Sequence, residues 1–277
     1  MKISAKKIAI CVGSQKAGTS WLFKCLEEHP EVCGARGKET NFFTKDTSDT
    51  SDYYHLYNDC NHKPVFFEAS PLYLYDKDAP QRIKASFPDA KIIILLRDPV
   101  ERTLSHFRHI KNNGHLKESV LVESAVVEFP ELIEYSLYTK WTGNYAEVFP
   151  KEQVLFIDYK EICNKPQNVI DKVCDFLDIA TFTPNFLHTK YNTSAWRANP
   201  LFKTITRIYL FLNKSETGKK IIDFLRKINI KSDTVESFLS KTARKNRVET
   251  DSERVFLKEK LQQDILYYQT LFSEKIQ

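Results

Sequence analysis

The chain has 277 residues, 42% of them hydrophobic and 28% charged, with a formal net charge of +5. This is globular usage, and it excludes a disordered, collagen-like or coiled-coil protein. No apolar run approaches the roughly 20 residues that span a bilayer, and residues 8–13 are too short for a signal-peptide core, so a cytoplasmic protein is expected, or else an excised catalytic domain. The length is compatible with one or two domains. With no repeat and no Pro/Ser linker, a single domain over 1–277 is expected, with a core at about 7–180 and a helical part at about 200–277. The six cysteines form no C-x-x-C pair, which predicts buried free thiols and no metal site. Glycine is scarce, at seven residues, yet Gly13, Gly18, Gly34 and Gly37 cluster. Such clustering predicts special backbone in that segment.

In chain order, residues 7–12 (Lys-Ile-Ala-Ile-Cys-Val) read as a buried strand. Thr19 to Glu28 follows with Trp21, Leu22, Cys25 and Leu26 at helical spacing, stopped by His29-Pro30. A weaker strand is expected at 64–68 and a strong one at 91–96 (Lys-Ile-Ile-Ile-Leu-Leu). Helices are expected at 99–111 and 134–148, a strand at 153–157, and a helix at 165–177. From about residue 200 the pattern is helical, including 251–272. Strand–helix alternation predicts an α/β fold whose central parallel sheet is flanked by helices. Residues 201–247 carry a net charge of +8, against −3 for the rest. Two readings stay open: a solvated helical face, or a surface for an anionic acceptor or membrane headgroups. No nucleic-acid partner is expected.

The first strand runs into Gly13-Ser14-Gln15-Lys16-Ala17-Gly18-Thr19-Ser20 and then a helix. The Gly-x-x-x-x-Gly spacing is that of a nucleotide phosphate loop, whose backbone N–H groups and helix N-terminus attract anions. In the ATP/GTP loop the lysine follows the second glycine; here that position is Thr19, and the lysine is Lys16, inside the loop. Gly-x-x-x-x-Gly alone reads equally as a bare strand–helix turn. Lys16, Thr19 and Ser20 in strand–loop–helix context favour an anion site.

The strongest strand leads straight into Arg97-Asp98-Pro99-Val100-Glu101-Arg102, with Ser105 eight residues after Arg97. Ligands of parallel sheets bind beyond the carboxyl ends of the strands, and an arginine there is placed to fork onto phosphate. An NTPase would place a magnesium-binding Asp at such an end; Arg97 favours direct anion binding instead. A structural salt bridge from Arg97 to Asp98 or Glu101 is the competing reading.

Together the two motifs resemble the sulfotransferase family that uses 3′-phosphoadenosine 5′-phosphosulfate (PAPS). The resemblance is to its carbohydrate branch, similar to the heparan sulfate sulfotransferases and their bacterial relatives. It covers roughly 7–180, including Tyr138, Trp141, Phe149-Pro150 and Phe176-Leu177, with a weaker echo at 257–272. It implies a P-loop-like three-layer sandwich and a helical C-terminal part. It implies that Lys16, Ala17, Gly18, Thr19, Ser20 and Trp21 hold the 5′-phosphosulfate, that Arg97 and Ser105 hold the 3′-phosphate, and that no metal is needed. Lys38-Glu39-Thr40-Asn41-Phe42-Phe43 resembles the segment with the family's catalytic glutamate, which makes Glu39 the general base for a hydroxyl or amine. Lys16 would then stabilise the leaving phosphate. Gly34 and Gly37 would bring that loop close to the donor.

The sequence also departs from the family. Asn41 stands where the heparan branch often has His, and Asn cannot relay a proton. Ala69, in Glu68-Ala69-Ser70-Pro71, replaces a family lysine. The lysine-glycine-arginine loop of the animal enzymes is not evident; Asn192 to Arg197 would take its place, with Arg197 on the 3′-phosphate and Trp196 on adenine. His106 is the alternative base. The competing functional classes are a P-loop kinase or NTPase and a non-catalytic nucleotide-binding module.

Overall fold

The computed structural model describes residues 6–45, 50–189 and 249–273. Strands β1 (Lys7–Gly13), β2 (Val32–Gly34), β3 (Val65–Ala69), β4 (Lys91–Leu96) and β5 (Val154–Asp158) form one sheet in the order β2-β3-β1-β4-β5. Every pairing is parallel, with Ile10 opposite Glu68 on one side and Ile92 on the other. The apolar runs are continuous because both faces of the sheet are covered. Successive side chains alternate between faces. Ile8, Ile10 and Val12 of β1 and Ile92, Ile94 and Leu96 of β4 join a core with Tyr53, Tyr73, Trp141 and Tyr145. Ala9, Cys11, Ile93 and Leu95 face a second core containing Leu22, Leu26, Val169, Val173 and Leu177. These two cores and the sheet between them make the expected three-layer α/β sandwich.

Helix α1 (Thr19–Glu27) matches the expected element, as do the helices Pro99–Asn112 and Pro166–Leu177. The expected helix 134–148 is instead two, Glu131–Glu134 and Tyr138–Val148. The cause is local. In a continuous helix the Leu132 carbonyl would accept from the Ser136 N–H. Here it accepts from the buried Arg102 Nη2 at 2.6 Å and Thr103 Oγ1 at 2.9 Å. The Ser136 N–H turns to the Ile133 carbonyl, and the Ser136 hydroxyl accepts from Arg102 Nε at 2.5 Å. The expected C-terminal helix is Asp251–Lys260 followed by Gln262–Ser273; the basic stretch 201–247 lies outside the described residues.

The chain divides into two compact units. One comprises Met1–Thr103, Glu131–Tyr191 and Val255–Gln277, and contains the whole sheet. The other comprises Leu104–Pro130 and Asn192–Arg254. In the second, Glu249 takes both carboxylate oxygens to Arg108 at 2.9 Å. Thr250 and Glu253 cap each other reciprocally, Thr250 N to Glu253 Oε2 at 2.8 Å and Glu253 N to Thr250 Oγ1 at 3.3 Å. This Thr-x-x-Glu box closes a helix start.

One expectation is corrected. Cys33 and Cys60 are not free thiols but a disulfide with Cα atoms 5.4 Å apart. Spacing could not show this, because the pair meets only when β2 packs beside the turn Asn58–Cys60. Cys11, Cys25 and Cys174 are free and buried as expected, whereas Cys163 is free but exposed. The bridge spans 27 residues, and the chain-entropy model gives a loop of that size about 3.5 kcal/mol of stabilisation. In denaturant without reductant four thiols should titrate, and with reductant six. Replacing both bridged cysteines with serine should lower the unfolding free energy by up to about 3.5 kcal/mol in urea titrations.

Candidate functional site

The phosphate loop has the backbone that its glycines predict. Gly13 (φ 152°) and Gly18 (φ 97°) both take positive φ, and so does Lys16 at 70°. A Cβ on Gly13 would stand 2.8 Å from Leu74 Cβ, and one on Gly18 2.9 Å from Ile162 Cδ1. The loop is anchored by Ser14 N to the Leu95 carbonyl (2.6 Å) and by Gln15 N to Tyr75 Oη (3.1 Å). Gly18 caps α1 with no side-chain bond, and the first turn of α1 holds no acidic residue. The opening amides and the helix dipole are therefore left to an anion.

Arg97 meets this loop directly, its Nη1 donating to the Lys16 carbonyl at 3.4 Å. Its guanidinium lies 4.7 Å from the centroid of the Tyr159 ring and 3.6 Å from Glu101. The expected alternative, a structural ion pair with Glu101, is thus present, and it coexists with the loop contact. The Arg97 carbonyl accepts from Tyr138 Oη at 2.8 Å. Burial pushes that phenol up to about 12, so it stays a neutral donor that fixes the strand end.

Glu39 sits on the loop after β2. Its carboxylate pairs with Lys38 Nζ at 2.6 Å and remains 48% exposed. The Lys38 carbonyl accepts from Ala69 N at 3.2 Å, at the carboxyl end of β3. Ala69 pairs in register with Cys11 of β1, two residues before Gly13. These links carry Glu39 to the edge of the sheet where the phosphate loop begins. Cys11 itself is inert, because burial pushes its thiol up to about 12. Beside Glu39 opens a cleft of about 560 Å³ lined by Ser20, Lys24, Arg36, Lys38 and Lys63 among others. Its four cations are already met, Lys24 by Glu27, Arg36 by Asp59, Lys38 by Glu39, and Lys63 by the His29 and Val32 carbonyls.

Lys16, Ala17, Gly18, Thr19 and Ser20 thus lie together with Arg97, and Glu39 lies on the loop beside them. The Trp21 indole instead packs into the core and donates to the Leu187 carbonyl at 3.1 Å, leaving only its backbone to the loop. Ser105 is half-buried two turns into the helix Pro99–Asn112, and His106 beside it is buried. Trp196 and Arg197 lie outside the described residues. Among the described residues no group of three or more His, Cys, Asp or Glu is arranged for a metal. Sequence reasoning named Tyr138 only as part of the family resemblance and missed Tyr75 and Tyr159. Of the two missed, Tyr159 carried a signal, as an aromatic residue directly after a strand at the ligand edge.

A family model described as a sulfotransferase domain matches residues 6–245. Human heparan sulfate glucosamine 3-O-sulfotransferase 3B1 is 26% identical over 241 residues, covering 80% of this chain and 61% of that protein. The membrane-associated sulfotransferase kil1 of Dictyostelium discoideum is 31% identical over 152 residues, 52% of this chain and 32% of its own. The chain spans about three fifths of the length of the human relatives it matches. A crystal structure of a sulfotransferase from Alicyclobacillus acidocaldarius superposes with a TM-score of 0.60 at 26% identity, covering 73% of this chain and 93% of that one. The loop geometry makes its own prediction: Gly18→Ala should cost about 1–3 kcal/mol in urea denaturation, because a left-handed φ and the contact with Ile162 both oppose the methyl.

Proposed function

The chain belongs to the sulfotransferase family, and from that premise we propose that it transfers the sulfuryl group of PAPS to a hydroxyl or amine of a carbohydrate. Glu39 takes the acceptor proton as the acceptor atom attacks sulfur. The bond from sulfur to the bridging phosphate oxygen breaks in line, and Lys16 balances the charge that develops on that oxygen. Arg97 and Ser105 hold the 3′-phosphate, and Lys16 to Trp21 hold the 5′ side. Arg197 is proposed to close on the 3′-phosphate.

The observation that carries this reading is the contact of Arg97 with the Lys16 carbonyl. It puts the arginine read as a 3′-phosphate ligand in contact with the loop read as the 5′-phosphosulfate ligand, which supports one donor spanning both. The heparan sulfate enzyme among the relatives supports a glycan as acceptor. The match over residues 6–245 supports our proposal that 1–277 acts as one sulfotransferase domain. A peripheral contact of 201–247 with membrane or acceptor is a proposal from charge alone. Among the described residues no helix is long and apolar enough to cross a membrane. The cytoplasmic location expected from the sequence stays a proposal, and the Cys33–Cys60 bridge argues against it, because structural disulfides are rare in a reducing cytosol.

Glu39→Gln is the direct test. It should lower kcat by about 10²–10⁴, the usual contribution of a positioned base, while donor affinity measured by calorimetry stays at the wild-type value. Normal turnover in Glu39→Gln would move the base to His106.

A further inference from the structure

Among the described residues, Glu68 is the one carboxylate buried completely within the sheet, in β3 opposite Ile10. Burial pushes its carboxyl above the usual range. A charged group is a costly way to fill a core, and an apolar side chain would pack there at less cost. Its partners are hydroxyls. Glu68 Oε2 accepts from Thr40 Oγ1 at 2.5 Å, Ser70 Oγ at 2.7 Å and Tyr73 Oη at 3.3 Å. Each hydroxyl has a single proton. Once that proton points at Glu68, the oxygen can only accept from elsewhere. All three then accept from the backbone of one loop: Asn41 N to Ser70 Oγ at 3.1 Å, Phe42 N to Thr40 Oγ1 at 3.2 Å and Phe43 N to Tyr73 Oη at 3.2 Å. These are three consecutive amides, starting two residues after Glu39. The loop also holds Lys38 and Asn41 at positive φ, a conformation that persists only where the surroundings enforce it.

We propose that Glu68 is a positioning residue for Glu39: it sets the hydrogen-bond direction of Thr40, Ser70 and Tyr73, and those three hydroxyls fix the loop that carries the base. The proposal rests on the reading of Glu39 as the base. The side chain acts through the loop and touches neither donor nor acceptor. Sequence alone shows Glu68 only as part of Glu68-Ala69-Ser70-Pro71; the convergence of hydroxyls from two segments is a tertiary fact.

The test is Glu68→Gln, which keeps the shape but brings an NH₂ donor that at least one hydroxyl must accept from. Hydrogen exchange of the 38–44 peptide should accelerate about tenfold or more while exchange in the sheet strands does not change. With PAPS and heparan sulfate as substrates, kcat should fall about tenfold or more, since small misplacements of a reacting group are expensive. KM for PAPS and affinity for 3′,5′-bisphosphoadenosine should stay within about twofold. Tyr73→Phe removes one of the three links and should show the same pattern at smaller amplitude; it carries the test if Glu68→Gln does not fold. Wild-type exchange at 38–44 together with wild-type kcat overturns the proposal. So does a loss of bisphosphoadenosine affinity and global stability in proportion to kcat, which would mark a merely structural role. If the wild-type protein transfers nothing to heparan sulfate, the acceptor reading fails on its own, and the exchange measurement still decides the role of Glu68.

Discussion

The parallel pairing of β1 between β3 and β4 is the constraint on which the site depends. Because all three strands run the same way, their carboxyl ends open on one edge, where parallel sheets take ligands. β1 delivers the Gly13–Gly18 loop to that edge and β4 delivers Arg97. β3 delivers Ala69, whose N–H holds the Lys38 carbonyl next to Glu39. A slip of one residue would send each strand's core side chains to the wrong face. Burial of both faces therefore fixes the register, and the register fixes which residues meet at the edge.

The phosphate loop itself presents cations and amides. α1 begins with no acidic residue in its first turn, Lys16 lies inside the loop, and Arg97 rests on the Tyr159 ring. Asp98 and Glu101 are the nearby acids: the Asp98 carboxylate accepts from Glu101 N at 3.1 Å, and Glu101 stands 3.6 Å from Arg97 at i,i+4 spacing, partly exposed. Such a helix pair is worth about 0.3–0.5 kcal/mol. A hydrogen bond to a charged group contributes about 1.5–3 kcal/mol. On these magnitudes a phosphate at Arg97, as proposed, would outweigh the pair with Glu101. The carboxylate kept deep in the sheet, Glu68, is directed at hydroxyls.

Much of this was legible in the sequence because it is written in local patterns. β1 and β4 were plain as apolar runs buried on both faces, and Lys16 and Arg97 were plain because they interrupt the ends of those runs. β2 was not legible: three residues, Val32–Gly34, give no period to read. The break at 135–137 escaped because its cause, Arg102 taking the Leu132 carbonyl, lies 30 residues away in sequence. The Cys33–Cys60 bridge and the hydroxyls around Glu68 escaped for the same reason. In each case the partners are brought together by the sheet, and no spacing between them carries the information. Trp21 shows the converse: inside the motif by sequence, its indole serves the core.

The central claim is that this edge holds a nucleotide carrying phosphate at both its 3′ and 5′ ends. Calorimetric titration of the wild-type protein with 3′,5′-bisphosphoadenosine and with AMP tests it most directly. One charge-assisted contact to the 3′-phosphate, worth about 1.5–3 kcal/mol, predicts that the bisphosphate binds roughly ten to a hundred times more tightly than AMP. Equal affinity for the two would contradict the account.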